Sequence, residues 1–101
     1  MLEKQIESKF VKQIKLMGGR AYKFISPGNI GVPDRIVFWP DGTVELVELK
    51  TRTGRLSQAQ QRQIDRLQKL KCRVHVLYGT EGVDAYLEAC RRTRGVTADE
   101  V

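Results

Sequence analysis

Apolar residues recur about one helical turn apart at Leu2, Ile6, Phe10, Ile14 and Met17, while Lys4, Lys9, Lys12 and Lys15 fall elsewhere on the same wheel. That spacing predicts a helix over 2–17 with one packed side, ended by the Gly18-Gly19 pair. Residues 21–25 then read as a strand, and 26–33, dense in Gly and Pro, as a loop. Asp34 opens a second strand that runs through Trp39. The Pro40-Asp41-Gly42 turn folds it back onto a third strand, from Val44 through Lys50. Ser57 sits where an N-cap is needed for a helix over about 58–71, with Ile64, Leu67 and Leu70 as its apolar side. Residues 73–78 form a further strand ended by Gly79, 81–92 a closing helix, and 94–101 a polar tail. The order α-β-β-β-α-β-α shows no repeat and no linker. It predicts an α/β fold, one mixed sheet flanked by helices, in a single domain over 1–93 followed by the tail 94–101.

Composition narrows the class. With 101 residues, 41% of them apolar, the chain can bury one core but not two. No apolar run approaches the length of a bilayer span, and the first residues carry charges rather than a signal-peptide core, so a soluble intracellular protein is expected. Cys72 and Cys90 lie far apart without metal-ligand spacing and read as reduced core thiols. The net charge of +6 and the pI near 9.6 suit a polyanionic partner. The distribution sharpens this: Lys50 to Arg73 holds eight basic residues against one acid, Asp65.

The candidate chemistry lies just before that basic stretch. In an extended strand Glu48 and Lys50 point to the same face, and the hairpin carries Asp34 to the same end of the neighbouring strand. Charged groups on an otherwise apolar strand cost free energy unless paired or bound to a metal. Two carboxylates are hard ligands of the kind magnesium or manganese takes, the Leu49 backbone carbonyl can add a third oxygen, and a lysine can orient a water and offset charge on a phosphate. Glu7, at the edge of the first helix's packed stripe, is a further candidate, and Glu3 a weaker one for the same role. Gln60 shares the inward stripe of the second helix, while Arg62 and Arg66 share another face. Each piece has an ordinary use taken alone: a turn capped by aspartate, a surface ion pair, a boundary glutamine, a solvated basic face. Their joint occurrence, in order and on compatible elements, argues for a site. His75 and Trp39 read as packing or surface residues, and no phosphate-binding glycine loop is present.

Ile6-Glu7, Gly18-Gly19, Gly31-Val32-Pro33-Asp34-Arg35, Glu48-Leu49-Lys50-Thr51 and Arg55-Leu56-Ser57 leading to Gln60 together resemble the VRR-NUC family of the PD-(D/E)XK nuclease superfamily, in its small stand-alone phage-type form. The resemblance implies a restriction-endonuclease-like αβββαβ core and Mg2+ or Mn2+ held by Asp34 and Glu48. It implies Lys50 as the catalytic lysine, Glu7 as the first-helix acid and Gln60 as the motif glutamine near the metal. It also implies a homodimer acting on branched DNA, in its sharpest form a Holliday junction resolvase, in the cytoplasm of a bacterial host and encoded by a phage or prophage. Arg52, Arg55, Arg62 and Arg66 are the expected phosphate contacts, from charge and position. The competing readings are a nick, flap or other DNA endonuclease of the same fold, a catalytically silent nucleic-acid-binding module, and a plain α/β interaction domain.

Overall fold

The structure is a computed structural model that describes residues 3–94, with side chains from residue 4 onward. Leu2, the Glu3 side chain and the expected tail past Arg94 lie outside the described residues. The elements are α1 (Glu3–Leu16), β1 (Arg20–Lys23), β2 (Arg35–Phe38), β3 (Val44–Lys50), α2 (Gln58–Lys69), β4 (Arg73–Tyr78) and α3 (Gly79–Arg94). The sheet order is β1-β2-β3-β4. The first two pairings are antiparallel and β3–β4 is parallel, so α2 is the crossover that a parallel pair requires. The expected α/β architecture, a mixed sheet between helices, is the one found.

The first helix folds as its spacing dictates. Ile6, Phe10, Ile14 and Met17 are all buried, and they pack with Val37, Val47, Leu49, Val83 and Leu87 in one core between the sheet and the α1–α3 layer. The other sheet face meets α2, which buries Ile64. Residues of β3 therefore divide by parity. Glu45, Val47 and Leu49 belong to the α1–α3 face, while Leu46, Glu48 and Lys50 belong to the α2 face.

Several boundaries move. The strand expected over 21–25 ends at Lys23, although the Phe24 N–H still reaches the Asp34 carbonyl at 2.8 Å, and Ile25 is exposed. The closing helix starts at Gly79, whose φ of 64° lets β4 turn directly into it, and continues through Arg94, so Arg94 is helical rather than part of a tail. Leu70 is exposed rather than part of the apolar side of α2, and Cys72 is an exposed thiol, not a core one; Cys90 is buried as expected. Both shifts follow from how α2 stops. The Lys71 N–H bonds the Gln68 carbonyl and the Cys72 N–H bonds the Leu67 carbonyl, the paired bonds of a Schellman ending, which turn the chain away before Leu70 and Cys72 can pack. Lys71 occupies the left-handed position, φ 69°, that glycine fills at lower cost.

One buried charge ties the far end of the sheet together. Glu45 accepts hydrogen bonds from Trp39 Nε1 at 2.6 Å, His75 Nε2 at 2.6 Å and Tyr86 Oη at 3.2 Å. Arg94 lies 3.6 Å from the same carboxylate, 2.7 Å from Asp41, and over the Trp39 ring at 4.2 Å. Trp39 and His75 thus pack, as expected, but around a carboxylate. An ionised carboxylate only accepts, so His75 carries its proton on Nε2. The donors outweigh the penalty of burial and lower the Glu45 pKa from 4.5 to about 2.

Two stability measurements follow. Lys71→Gly removes the left-handed strain of a Cβ and should raise stability by about 1 kcal/mol, read as a thermal midpoint ~4–8 °C higher. Glu45 ionises more readily folded than unfolded, so its contribution is present above pH 4.5 and is lost as pH falls towards about 2. Urea melts of wild type and Glu45→Gln should therefore differ by on the order of 3 kcal/mol at neutral pH and converge in acid.

Candidate active site

At the end of the β2–β3 pair opposite its hairpin, two carboxylates hold each other's backbone. Glu48 Oε1 accepts the Asp34 N–H at 3.2 Å, and Asp34 Oδ1 accepts the Leu49 N–H at 3.2 Å. Glu48 Oε2 accepts Gln60 Nε2 at 3.1 Å and lies 3.6 Å from Lys50 Nζ. Glu48 is only 5% exposed, on a strand that is otherwise core, so these partners are what keep it there.

Local sequence explains how the pieces are held. Gly31, at φ 94°, passes so close to α2 that a Cβ would fall 2.6 Å from the Ala59 carbonyl carbon and 2.8 Å from the Gln60 nitrogen. Only glycine permits that approach, and it docks the loop before Asp34 against the first turn of α2. Gln63 Nε2 adds a bond to the Ile30 carbonyl at 3.3 Å. Gln60 does two jobs in that turn. Its Oε1 accepts the Ser57 N–H at 2.9 Å while its own N–H donates to Ser57 Oγ at 3.1 Å, a capping box that turns its remaining amide NH2 towards Glu48.

Pro33 supplies a further device. The ladder between β2 and β3 begins with Arg35 opposite Val47, and Pro33 lies two residues before it, buried in the loop that leads into β2. In a strand the N–H and C=O of one residue leave on the same side, so the Leu49 carbonyl faces the side on which its N–H meets Asp34. A proline has no N–H to offer that carbonyl.

Electrostatics mark the pair as loaded. Burial first, then the neighbouring charges of Glu48 and Glu7, raise the Asp34 pKa from 3.8 to about 6, against the lowering effect of the Leu49 N–H and of Arg35. The donors are hard oxygens, two carboxylates and one carbonyl, which fit a magnesium-type ion that keeps waters. Among the described residues no group of three or more His, Cys, Asp or Glu side chains gathers to hold a metal, so a cation here would complete its shell with carbonyl and water oxygens.

Of the residues expected from sequence, Asp34, Glu48, Leu49, Lys50 and Gln60 are brought together directly. Glu7 stands beside them as a charge felt by Asp34, on the wall of a groove between α1 and β2. Arg52, Arg55, Arg62 and Arg66 are all exposed, on the loop after β3 and on α2. Sequence reasoning passed over Arg35, which shares the groove with Glu7 and whose charge acts on Asp34; its place directly after Asp34 was the available signal.

The VRR-NUC domain family model matches residues 3–81, from α1 into the first turn of α3. The chain belongs to the VRR-NUC family. Glu7, Asp34, Glu48, Lys50 and Gln60 all fall within the matched span. A relative named "Putative nuclease p44", from Acyrthosiphon pisum secondary endosymbiont phage 1, is 43% identical over 75 residues, covering 74% of this chain and 81% of the relative. A solved structure described as a VRR_NUC domain superposes with a TM-score of 0.80 at 26% identity, covering 85% of this chain and 94% of that one. At the level of the VRR-NUC family, the chain is a nuclease. Among the described residues no helix is long and apolar enough to cross a membrane.

The load on Asp34 has a measurable consequence. Its folded pKa lies above its unfolded value, so the folded state holds the proton longer and stability falls as pH rises from 3.8 through about 6. Asp34→Asn cannot ionise and can still accept the Leu49 N–H through its amide oxygen. In EDTA at neutral pH it should melt a few degrees above wild type, the gap closing as pH falls towards 3.8. A wild type as stable as Asp34→Asn at neutral pH would show that the site carries no such load.

Proposed function

We propose that this VRR-NUC protein is a divalent-metal-dependent DNA endonuclease that hydrolyses phosphodiester bonds at the Asp34–Glu48 pair. The observation that carries the reading is the reciprocal clasp, two carboxylates kept close despite their repulsion, with an ammonium and an amide on the same oxygen. A binding-only module has no use for clustered carboxylates facing a phosphate backbone. Asp34, Glu48 and the Leu49 carbonyl would hold Mg2+ or Mn2+. Such an ion supplies Lewis acidity towards a phosphoryl oxygen and an acidified water.

The remaining roles belong to the chain's own groups. Lys50 Nζ, anchored at Glu48, is placed to orient the attacking water and to offset negative charge growing on the phosphate. Gln60 is a positioning residue: it fixes the Glu48 carboxylate through a side chain that α2's own cap holds still. Glu7 adds negative charge beside Asp34 and so favours a cation there. Arg52, Arg55, Arg62 and Arg66 meet the DNA backbone. The sharper form, a homodimeric Holliday junction resolvase at work in the cytoplasm of a phage's bacterial host, rests on the family resemblance. One subunit carries one such site, and paired cuts in two strands need two sites related by a two-fold axis.

Cleavage of matched labelled four-way junction, flap, nicked duplex, linear duplex and single strand, with magnesium, manganese or EDTA, tests the reading. Metal-dependent cutting that falls at least about a hundredfold in Lys50→Ala supports it. Symmetric paired nicks in the junction support the resolvase form, and faster cutting of flap or nick redirects it. Salt-sensitive DNA binding without cutting under either metal leaves a binding module.

A further inference from the structure

We infer that the groove between α1 and β2 is a second phosphate channel, which carries the backbone of the strand being cut towards Asp34 from the side opposite α2. The inference rests on the nuclease reading and deepens it. The groove is shallow and open to solvent, offers about 710 Å³, and its basic lining is Lys4, Lys12 and Lys15 of α1 with Arg35 of β2, against a single acid, Glu7. Lys9, the other lysine of that helix, is spent on Asp84 at 2.7 Å, whereas Lys4, Lys12 and Lys15 make no ion pair among the described residues. Lys23, the cross-strand partner of Arg35, adds an ammonium on the same sheet face.

Three observations make this more than a solvated basic surface. The charges gather along one shallow, open groove rather than being spread around the helix, so their fields add there. The acid in the groove, Glu7, acts electrostatically on Asp34, and the cation on its β2 wall, Arg35, directly follows Asp34 in the chain, so the groove runs close beside the site. The buried Arg35 Nε–H has no acceptor among the described residues, although Nη1 reaches the Ala21 carbonyl at 3.4 Å; an orphaned donor inside a basic groove calls for an acceptor brought by a ligand or a water. From Lys4 to Lys15, α1 rises ~16 Å, enough to run beside about five phosphates of one strand of a duplex. The site is then flanked by two basic surfaces, the α1 groove and the exposed arginines of α2 and its preceding loop, and a strand held by both crosses the Asp34–Glu48 pair between them.

The test compares wild type, Lys12→Ala/Lys15→Ala and the charge-matched control Arg20→Ala/Arg92→Ala. The readouts are DNA affinity across a salt series in EDTA and steady-state cleavage with magnesium. All four positions are exposed, and alanine keeps the helical ones helical. Each phosphate contact contributes a slope of about 0.9 to log K against log salt, so loss of the channel lowers the slope by about 2 in the Lys12/Lys15 variant and by much less in the control. KM should rise about tenfold while kcat stays within about twofold, because these lysines bind the strand without touching the reacting atoms. A wild type that binds and cuts, with the Lys12/Lys15 variant matching the control in slope and KM, overturns the channel and leaves the nuclease reading standing. A wild type that neither cuts nor binds DNA in a salt-dependent way overturns both.

Discussion

Two carboxylates on adjacent strands, each holding the amide beside the other, are the constraint around which the site is built. Asp34 and Glu48 repel, and burial makes the repulsion worse, yet the bonds from the Asp34 and Leu49 amides lock them side by side. The surroundings serve that lock. Gly31 lets the preceding loop touch α2, Ser57 and Gln60 stiffen the first turn of α2, and Gln60 reaches from that turn to Glu48. Pro33, just before the ladder of β2 with β3, has no N–H to offer a strand carbonyl. The raised Asp34 pKa is the consequence, since burial and the neighbouring Glu48 charge both favour the protonated form.

The same strand carries a contrasting acid. Glu45 is three residues from Glu48, equally buried, and faces the opposite side of the sheet. It has an indole, an imidazole and a phenol as donors and a guanidinium nearby, and its pKa falls to about 2. Asp34, with a carboxylate for a neighbour, rises to about 6. Environment rather than residue type separates the acid that ties α3 and β4 to the hairpin from the acids proposed to hold a cation. The division also keeps the two roles mechanically apart, one at each end of β3.

Helix α1 links the core to the outer surface. Its Ile6, Phe10 and Ile14 stripe anchors it on the sheet, so Glu7 and the neighbouring lysines are carried by one of the most firmly packed elements of the molecule. A binding surface on a rigid element needs little ordering when a ligand arrives, which favours α1 over a loop as a wall for DNA.

The sequence by itself determined what local periodicity and short spacing can encode. Glu48 and Lys50 share a face because the strand period is two, Asp34 sits beside them because an Asp-Gly turn folds the hairpin, and Ser57 with Gln60 three residues on is a capping signature. The family resemblance drew on those same residues. Only the tertiary structure decided what depends on contacts far apart in the chain. Glu45 meets His75 across 30 residues and Tyr86 across 41, and Asp41 meets Arg94 across 53, so the buried network and the helical place of Arg94 have no local signal. Leu70 and Cys72 look like core residues by type, but the angle at which α2 stops turns them to solvent. Arg35 became part of a groove only when α1 docked beside it. Neighbouring residues set element type and face; which faces meet, and which charges share a cavity, is set by packing, to which every element contributes.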